Sequence, residues 1–139
     1  MANNNHLIDN YIDALLVEAV ERKKELNTET LTTVYLGGGT PSLLSITQLS
    51  KLVNGLKKVF DFSDVEEFTI EVNPDDVTAY YIQQAKSLGI NRVSMGVQSF
   101  NDEDLRFMNR RHTAKQATDA IHIIKEAGIN NISIDLIYG

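Results

Sequence analysis

Four segments of the chain share one alternation of apolar and polar residues. Phe68, Ile70 and Val72 alternate with Thr69 and Glu71, and Val93, Met95 and Val97 with Ser94, Gly96 and Gln98. Ile132, Ile134 and Leu136 alternate with Ser133 and Asp135. Thr33-Val34-Tyr35-Leu36 is shorter and runs straight into Gly37-Gly38-Gly39-Thr40-Pro41. Successive side chains of a strand point to opposite faces, so each segment reads as a strand with one apolar and one polar face. The glycine run, Glu71, Gln98 and Asp135 then gather near the carboxyl ends of the strands, where α/β folds carry their chemistry.

Between these segments the period becomes helical. Ile8, Tyr11, Ile12, Leu15 and Ala19 predict a helix from about residue 6 to 26. Ser45 with Gln48 fits a capping box ahead of the stripe Leu49, Leu52, Val53 and Leu56. A third helix is expected from Asp75-Asp76 to just before Gly89, and a short one after Asn101. A longer one is capped by Thr113 with Gln116, buries Ala117, Ala120, Ile121 and Ile124, and ends at Gly128. Leu88-Gly89-Ile90-Asn91 and Ala127-Gly128-Ile129-Asn130 are near copies, each with a glycine where a helix end calls for a left-handed residue.

Strict alternation of helix and strand argues for parallel strands with right-handed crossovers in one domain, residues 1–139. Strands of a doubly wound sheet are buried on both faces and read as continuous apolar runs. Here only one face is apolar, so helices cover one side and the polar side lines a lumen or cleft. The expected fold class is therefore α/β, a partial (β/α) TIM-type barrel with parallel strands and helices on the outer face. A two-layer sheet with its polar face in water is the other reading. Four such units are too few for a barrel of eight strands, which leads us to expect a piece of a longer protein.

Composition narrows the chemistry. A hydrophobic content of 42% over 139 residues can build a core. The net charge is −6 and the basic residues are scattered, so no nucleic-acid partner is expected. No apolar run reaches membrane-spanning length and Met1-Ala2-Asn3-Asn4-Asn5 does not open a signal peptide, which points to the cytoplasm. The absence of cysteine excludes disulfides, thiol catalysis and any thiolate-held zinc or iron–sulfur site within this chain. His6, His112 and His122 have no zinc-motif spacing, and His112 reads most simply as a polar loop histidine.

The glycine run is neither a Walker loop nor the dinucleotide fingerprint. Its consecutive glycines let a backbone approach a ligand closely. Glu71 places a carboxylate on the polar face and Gln98 an amide, while Arg110 offers a bidentate guanidinium for a carboxylate ligand. Asp135, flanked by apolar Ile134 and Leu136, is the more telling carboxylate. Glu71 paired with Asp135 could also hold a divalent metal, as in a carboxylate–metal barrel hydrolase, but that leaves the glycines, Gln98 and Arg110 unexplained.

Four blocks taken in order resemble the radical S-adenosylmethionine (SAM) superfamily, in its branch of oxygen-independent coproporphyrinogen III oxidase and the HemW heme chaperones. They are Gly37-Gly38-Gly39-Thr40-Pro41-Ser42-Leu43-Leu44-Ser45, Glu71-Val72-Asn73-Pro74, Ser94-Met95-Gly96-Val97-Gln98-Ser99-Phe100 and Ile134-Asp135-Leu136-Ile137-Tyr138-Gly139. The resemblance implies the central part of a radical SAM core domain, an incomplete barrel whose lumen holds SAM beside a [4Fe-4S] cluster. One electron from that cluster cleaves SAM to a 5′-deoxyadenosyl radical. Gly38, Gly39 and Thr40 match the motif that receives the methionyl amine, and Glu71, Gln98, Arg110 and Asp135 match further SAM-contacting positions. The family's Cys-x3-Cys-x2-Cys loop has no counterpart in this chain. The expectation is a piece that begins downstream of that loop, the alternative being a natural paralogue without the cluster. Either way this polypeptide is expected to be inactive, with the [4Fe-4S] cluster held only in the full-length parent. Open barrel edges would favour self-association. The parent's expected partner is a tetrapyrrole, heme or coproporphyrinogen III, with heme counted among the candidate cofactors. Asn73-Pro74, Gln98-Ser99-Phe100 and Arg111-His112 look more like the chaperone group than the oxidase.

Overall fold

A computed structural model of the chain describes residues 2–26 and 30–138, with side chains from His6 onward. Helices and strands alternate as α1 (Ala2–Arg22), β1 (Thr33–Leu36), α2 (Ile46–Val59), β2 (Glu67–Val72) and α3 (Ala79–Ser87). They continue as β3 (Arg92–Gln98), α4 (Asp102–Phe107), α5 (Ala114–Glu126) and β4 (Asn131–Leu136). The strands form one parallel sheet in the order β1-β2-β3-β4. Val34 lies opposite Phe68, Ile70 opposite Val93, and Val93 opposite Ile132, so the apolar residues of neighbouring strands share a face.

That face is the core. Phe68, Ile70, Val72, Val93, Met95 and Val97 pack with Leu49 and Val53 of α2, Ile82 and Ala85 of α3, and Ala117, Ala120 and Ile124 of α5. Burying each of the larger side chains contributes about 1.5–3 kcal/mol. The helices lie on this outer face, as expected of a barrel wall, and the opposite face carries the polar set. Deep on that polar face Arg92 bridges three strands. Its Nη1 donates to Thr69 Oγ1 at 3.1 Å and its Nη2 to Ser133 Oγ at 2.9 Å, with Glu67 Oε2 3.7 Å from Nε.

Local chemistry sets the helix ends. In α2, Ser45 Oγ accepts from Gln48 N–H at 3.3 Å while Gln48 Oε1 accepts from Ser45 N–H at 3.1 Å. Thr113 and Gln116 repeat the capping box at α5. Helix α3 starts later than the Asp75-Asp76 start expected. Pro74–Asp76 form a single 3-10 turn, and Thr78 is the cap, accepting from Tyr81 N–H at 3.1 Å. Helices α3 and α5 end as anticipated at glycines of positive φ, +105° at Gly89 and +84° at Gly128. Ile90 N–H bonds Ala85 O and Gly89 N–H bonds Lys86 O, and the same pair recurs from Ile129 to Ile124 and from Gly128 to Lys125. These are Schellman closures. The preceding unit adds a further donor to each: Lys57 Nζ reaches Leu88 O at 2.7 Å, and Lys86 Nζ reaches Ala127 O at 2.9 Å.

Helix α1 ends at Arg22 rather than near residue 26, with a 3-10 turn over Lys23–Glu25. Its predicted stripe is only partly covered. Ile12 is fully buried and Tyr11 exposed, both beside an open apolar cavity of about 650 Å³ shared with α2 and β1. The outer strand β4 likewise leaves Ile134 and Leu136 exposed. No helix among the described residues is long and apolar enough to cross a membrane.

Candidate functional site

At the carboxyl ends of the strands a polar cleft of about 270 Å³ is lined by Gly39, Thr40, Glu71, Gln98, Arg110 and Asp135. Pro41, Val72, Asn73, Ser94 and Gly96 complete its wall. Six of the seven residues singled out from the sequence thus meet at one place. Gly38, the seventh, lies outside the lining and acts one step back, donating its N–H to Glu71 Oε2 at 3.1 Å. The other carboxylate oxygen, Oε1, accepts from Tyr35 Oη at 2.7 Å. A carboxylate on β2 therefore ties the glycine turn to the tyrosine of β1. The same bond explains why the first glycine is needed. A Cβ on Gly37 would run into the Tyr35 ring and lie 3.0 Å from Glu71 Oε1. The negative charge of Glu71 opposes ionisation of its donor, so this hydrogen bond, with burial adding to it, holds the Tyr35 phenol above its ordinary 10.0.

Gln98 is aimed by its backbone. Its φ is +71°, and Ser99 N–H bonds Val97 O at 2.9 Å, which makes Gln98 the centre of a γ-turn. Positive φ at a non-glycine residue costs on the order of 1–3 kcal/mol, and such strain persists only where the surroundings hold it. The β3–β4 pairing shifts register between Met95 and Gln98 and resumes at Gln98 and Leu136. Gly96 leaves room beside the turn. A Cβ there would sit 3.0 Å from Gln98 Nε2 and 3.4 Å from Arg110 Nη2.

Arg110 is delivered by a third Schellman closure, at the end of α4. Arg110 N–H bonds Leu105 O at 2.8 Å, Asn109 N–H bonds Arg106 O at 3.0 Å, and Asn109 takes φ +54° in place of a glycine. The guanidinium reaches back over the sheet, where Nη2 donates to Gly96 O at 3.1 Å and to Asn73 Oδ1 at 3.4 Å. Asn73 N–H bonds Ser42 Oγ at 3.2 Å, and Ser42 Oγ donates to Asp76 Oδ2 at 2.7 Å. The turns after β1 and β2 are thereby joined. Asp135 faces the cleft but is exposed, because β4 is an outer strand.

His112 lies in the loop between α4 and α5, as the sequence led us to expect, but it is buried rather than solvated. It is only 3% exposed, and its Nε2 lies 2.9 Å from Val97 O. Asp75 Oδ1 is 4.0 Å from its Nδ1, and Asp75 pairs with Arg111 at 2.7 Å. Among the described residues no group of three or more His, Cys, Asp or Glu could hold a metal ion.

Sequence reasoning left Tyr35, Asn73, Ser94 and Gly96 out of the site. Signals for three of them were present. Tyr35 and Ser94 occupy polar-face positions of their strands, and a glycine within a strand often marks close approach. Asn73 had a weaker one, in that a residue before proline is held extended, as its φ of −93° and ψ of 146° show.

The Radical SAM superfamily model matches residues 4–139, and the chain belongs to that superfamily. Within it, the heme chaperone HemW of Lactococcus lactis is 42% identical over 127 residues, covering 91% of this chain and 34% of that protein. The oxygen-independent coproporphyrinogen III oxidase of Escherichia coli is 36% identical over 134 residues, covering 96% of this chain and 29% of that protein. The solved structure of the E. coli coproporphyrinogen III oxidase HemN, described as a radical SAM enzyme, superposes with a TM-score of 0.87 at 36% identity. It covers 96% of this chain and 31% of the enzyme. The chain spans about a third of the length of the curated relatives it matches.

Proposed function

We propose that the polar cleft binds SAM and that residues 1–139 are the central part of the core domain of a HemW-type heme chaperone. The observation that carries this is the convergence of a glycine turn, two carboxylates, an amide and a guanidinium on one cleft. That donor set fits SAM. The backbone of Gly38, Gly39 and Thr40 with Glu71 suits the methionyl ammonium, Arg110 suits the methionyl carboxylate, and Asp135 suits ribose hydroxyls. Gly96 keeps a methyl group out of the space that Gln98 and Arg110 border. A [4Fe-4S] cluster does not fit this chain, which has no cysteine, and its ligands belong to another part of the parent. When bound beside a reduced cluster, SAM supplies one-electron chemistry. What this chain's residues do is bind, orient and shield it from water.

The chaperone reading is supported by the 42% identity to a HemW protein and by Asn73-Pro74 and Gln98-Ser99-Phe100. The tetrapyrrole is then heme. The second reading is a coproporphyrinogen III oxidase acting on that tetrapyrrole's propionates, favoured by 36% identity over 96% of the chain to the E. coli enzyme. The test uses the full-length parent, reconstituted anaerobically with iron and sulfide. Stoichiometric heme binding without formation of protoporphyrinogen from coproporphyrinogen III supports the chaperone. Turnover well above that of a cysteine-loop variant overturns it in favour of the oxidase. Failure to form a cluster, with neither activity, points to a paralogue that has lost it.

A further inference from the structure

We propose that His112 is a positioning residue that holds the γ-turn at Gln98 and so aims the Gln98 amide into the cleft. Left to itself, a strand end ending in glutamine relaxes to extended backbone, because positive φ is unfavourable for any residue with a Cβ. Two donors oppose that relaxation by meeting on one carbonyl. Val97 O receives Ser99 N–H at 2.9 Å and stands 2.9 Å from His112 Nε2. A carbonyl can only accept, so Nε2 carries the proton and donates. On the far side of the turn Ile137 N–H bonds Gln98 O at 2.9 Å.

His112 is suited to this task by where it sits. It comes two residues after Arg110, beyond the same Schellman closure, so one loop supplies both the guanidinium at the cleft and the imidazole behind it. The ring is buried, which makes its bond to Val97 O inaccessible to competing water. Asp75 is the carboxylate that faces Nδ1, at 4.0 Å, and it is itself engaged by Arg111. Losing the imidazole donor leaves a buried carbonyl with the γ-turn bond alone. The turn opens, and the amide of Gln98 leaves its place beside Gly96.

The consequence for ligand affinity rests on the SAM reading, whereas the turn itself does not, and the experiment separates the two. NMR on the isotopically labelled chain reads three quantities without ligand: the imidazole tautomer of His112, the HN–Hα coupling of Gln98, and the exchange rate of the Ser99 amide. The expected results for the wild type are the Nε2–H tautomer and a coupling that reports positive φ. His112→Leu should speed Ser99 exchange about tenfold or more, the equivalent of one lost net hydrogen bond, and move the Gln98 coupling toward extended values. His112→Gln, which keeps an N–H donor, should restore both. A wild-type Nδ1–H tautomer overturns the proposal even if the leucine variant does not fold. So does a His112→Leu chain whose Gln98 coupling and Ser99 exchange are unchanged. Titration with SAM then follows the Gln98 side-chain amide. A wild type that shows no shift counts against the SAM reading and leaves the ligand-free results standing.

Discussion

Replacing Gly96 with alanine should separate what the strand needs from what the cleft needs. The Gly96 backbone lies outside the left-handed region, so alanine meets no conformational barrier, and a strand interior gains about 0.5–1 kcal/mol when glycine becomes alanine. At this chain length that gain corresponds to a rise in Tm of roughly 2–4 °C. The new methyl carbon would lie 3.0 Å from Gln98 Nε2 and 3.4 Å from Arg110 Nη2, against a comfortable separation of about 3.5–4.0 Å. Gln98 must retreat by roughly half an ångström, and its γ-turn backbone gives it little freedom to do so without turning the amide away. Turning the Gln98 amide out of the cleft, and crowding the Arg110 guanidinium beside it, should cost about 1–2 kcal/mol of ligand affinity, or about 5- to 30-fold. Calorimetric unfolding of the chain and SAM titration of the reconstituted parent read the two effects. Gly96→Ala is expected to melt no lower than the wild type while binding SAM about tenfold more weakly. Wild-type affinity would refute the assignment of the cleft. A Tm lowered by more than about 5 °C would show that the glycine serves the strand instead.

Three further outcomes are expected. Burial, with the charge of Asp76 adding to it, pushes the Tyr81 phenol up to about 12. The folded state thus holds the proton more tightly than the unfolded state, whose value is about 10. The resulting stability is fully present below pH 10 and is lost as pH rises through 12. An absorbance titration at 295 nm should show one late-ionising tyrosine coupled to unfolding, absent in Tyr81→Phe, and a Tyr81 that titrates at 10 would refute this. Lys86→Met removes the donor to Ala127 O and Lys57→Met the donor to Leu88 O, each worth about 0.5–1 kcal/mol at these exposed helix ends. Urea unfolding should show the two losses adding in the double variant, since they cap different helices. Finally, the exposed Ile134 and Leu136 on outer strand β4 should make the chain associate with itself as concentration rises, and Ile134→Lys with Leu136→Lys should abolish this in light scattering. A monomer at all concentrations would remove that expectation.

What could be read in the sequence was what depends on near neighbours. The capping boxes at Ser45 and Thr113 and the glycine stops at Gly89 and Gly128 each need only residues within one helical turn, and all four are present in the fold. The period-two pattern fixed which strand residues share a face, and that was enough to bring Glu71, Gln98 and Asp135 to one cleft. The start of α3 was misplaced because Asp75 and Asp76 look like helix-opening acids, yet they are engaged by Arg111, some 35 positions away in the chain. The burial of His112 was missed for the same reason: nothing in Arg110-Arg111-His112-Thr113 reveals that Val97 O waits for it. Gly38 was singled out by its motif, and in the fold its N–H is engaged by the cleft-lining Glu71 carboxylate, a partner 33 positions away.

The strand order β1-β2-β3-β4 follows the order of synthesis. Each strand from β2 onward finds its sheet neighbour already made. Domains of this kind can grow as an orderly front during translation, with loop closure confined to one helix-and-strand length at a time. The cleft is assembled on a different schedule. Its wall spans Gly39 to Asp135, and it is completed only when β4 docks. A nascent chain that has folded only through β3 therefore carries ordered sheet but lacks the Asp135 side of the cleft, which arrives with β4.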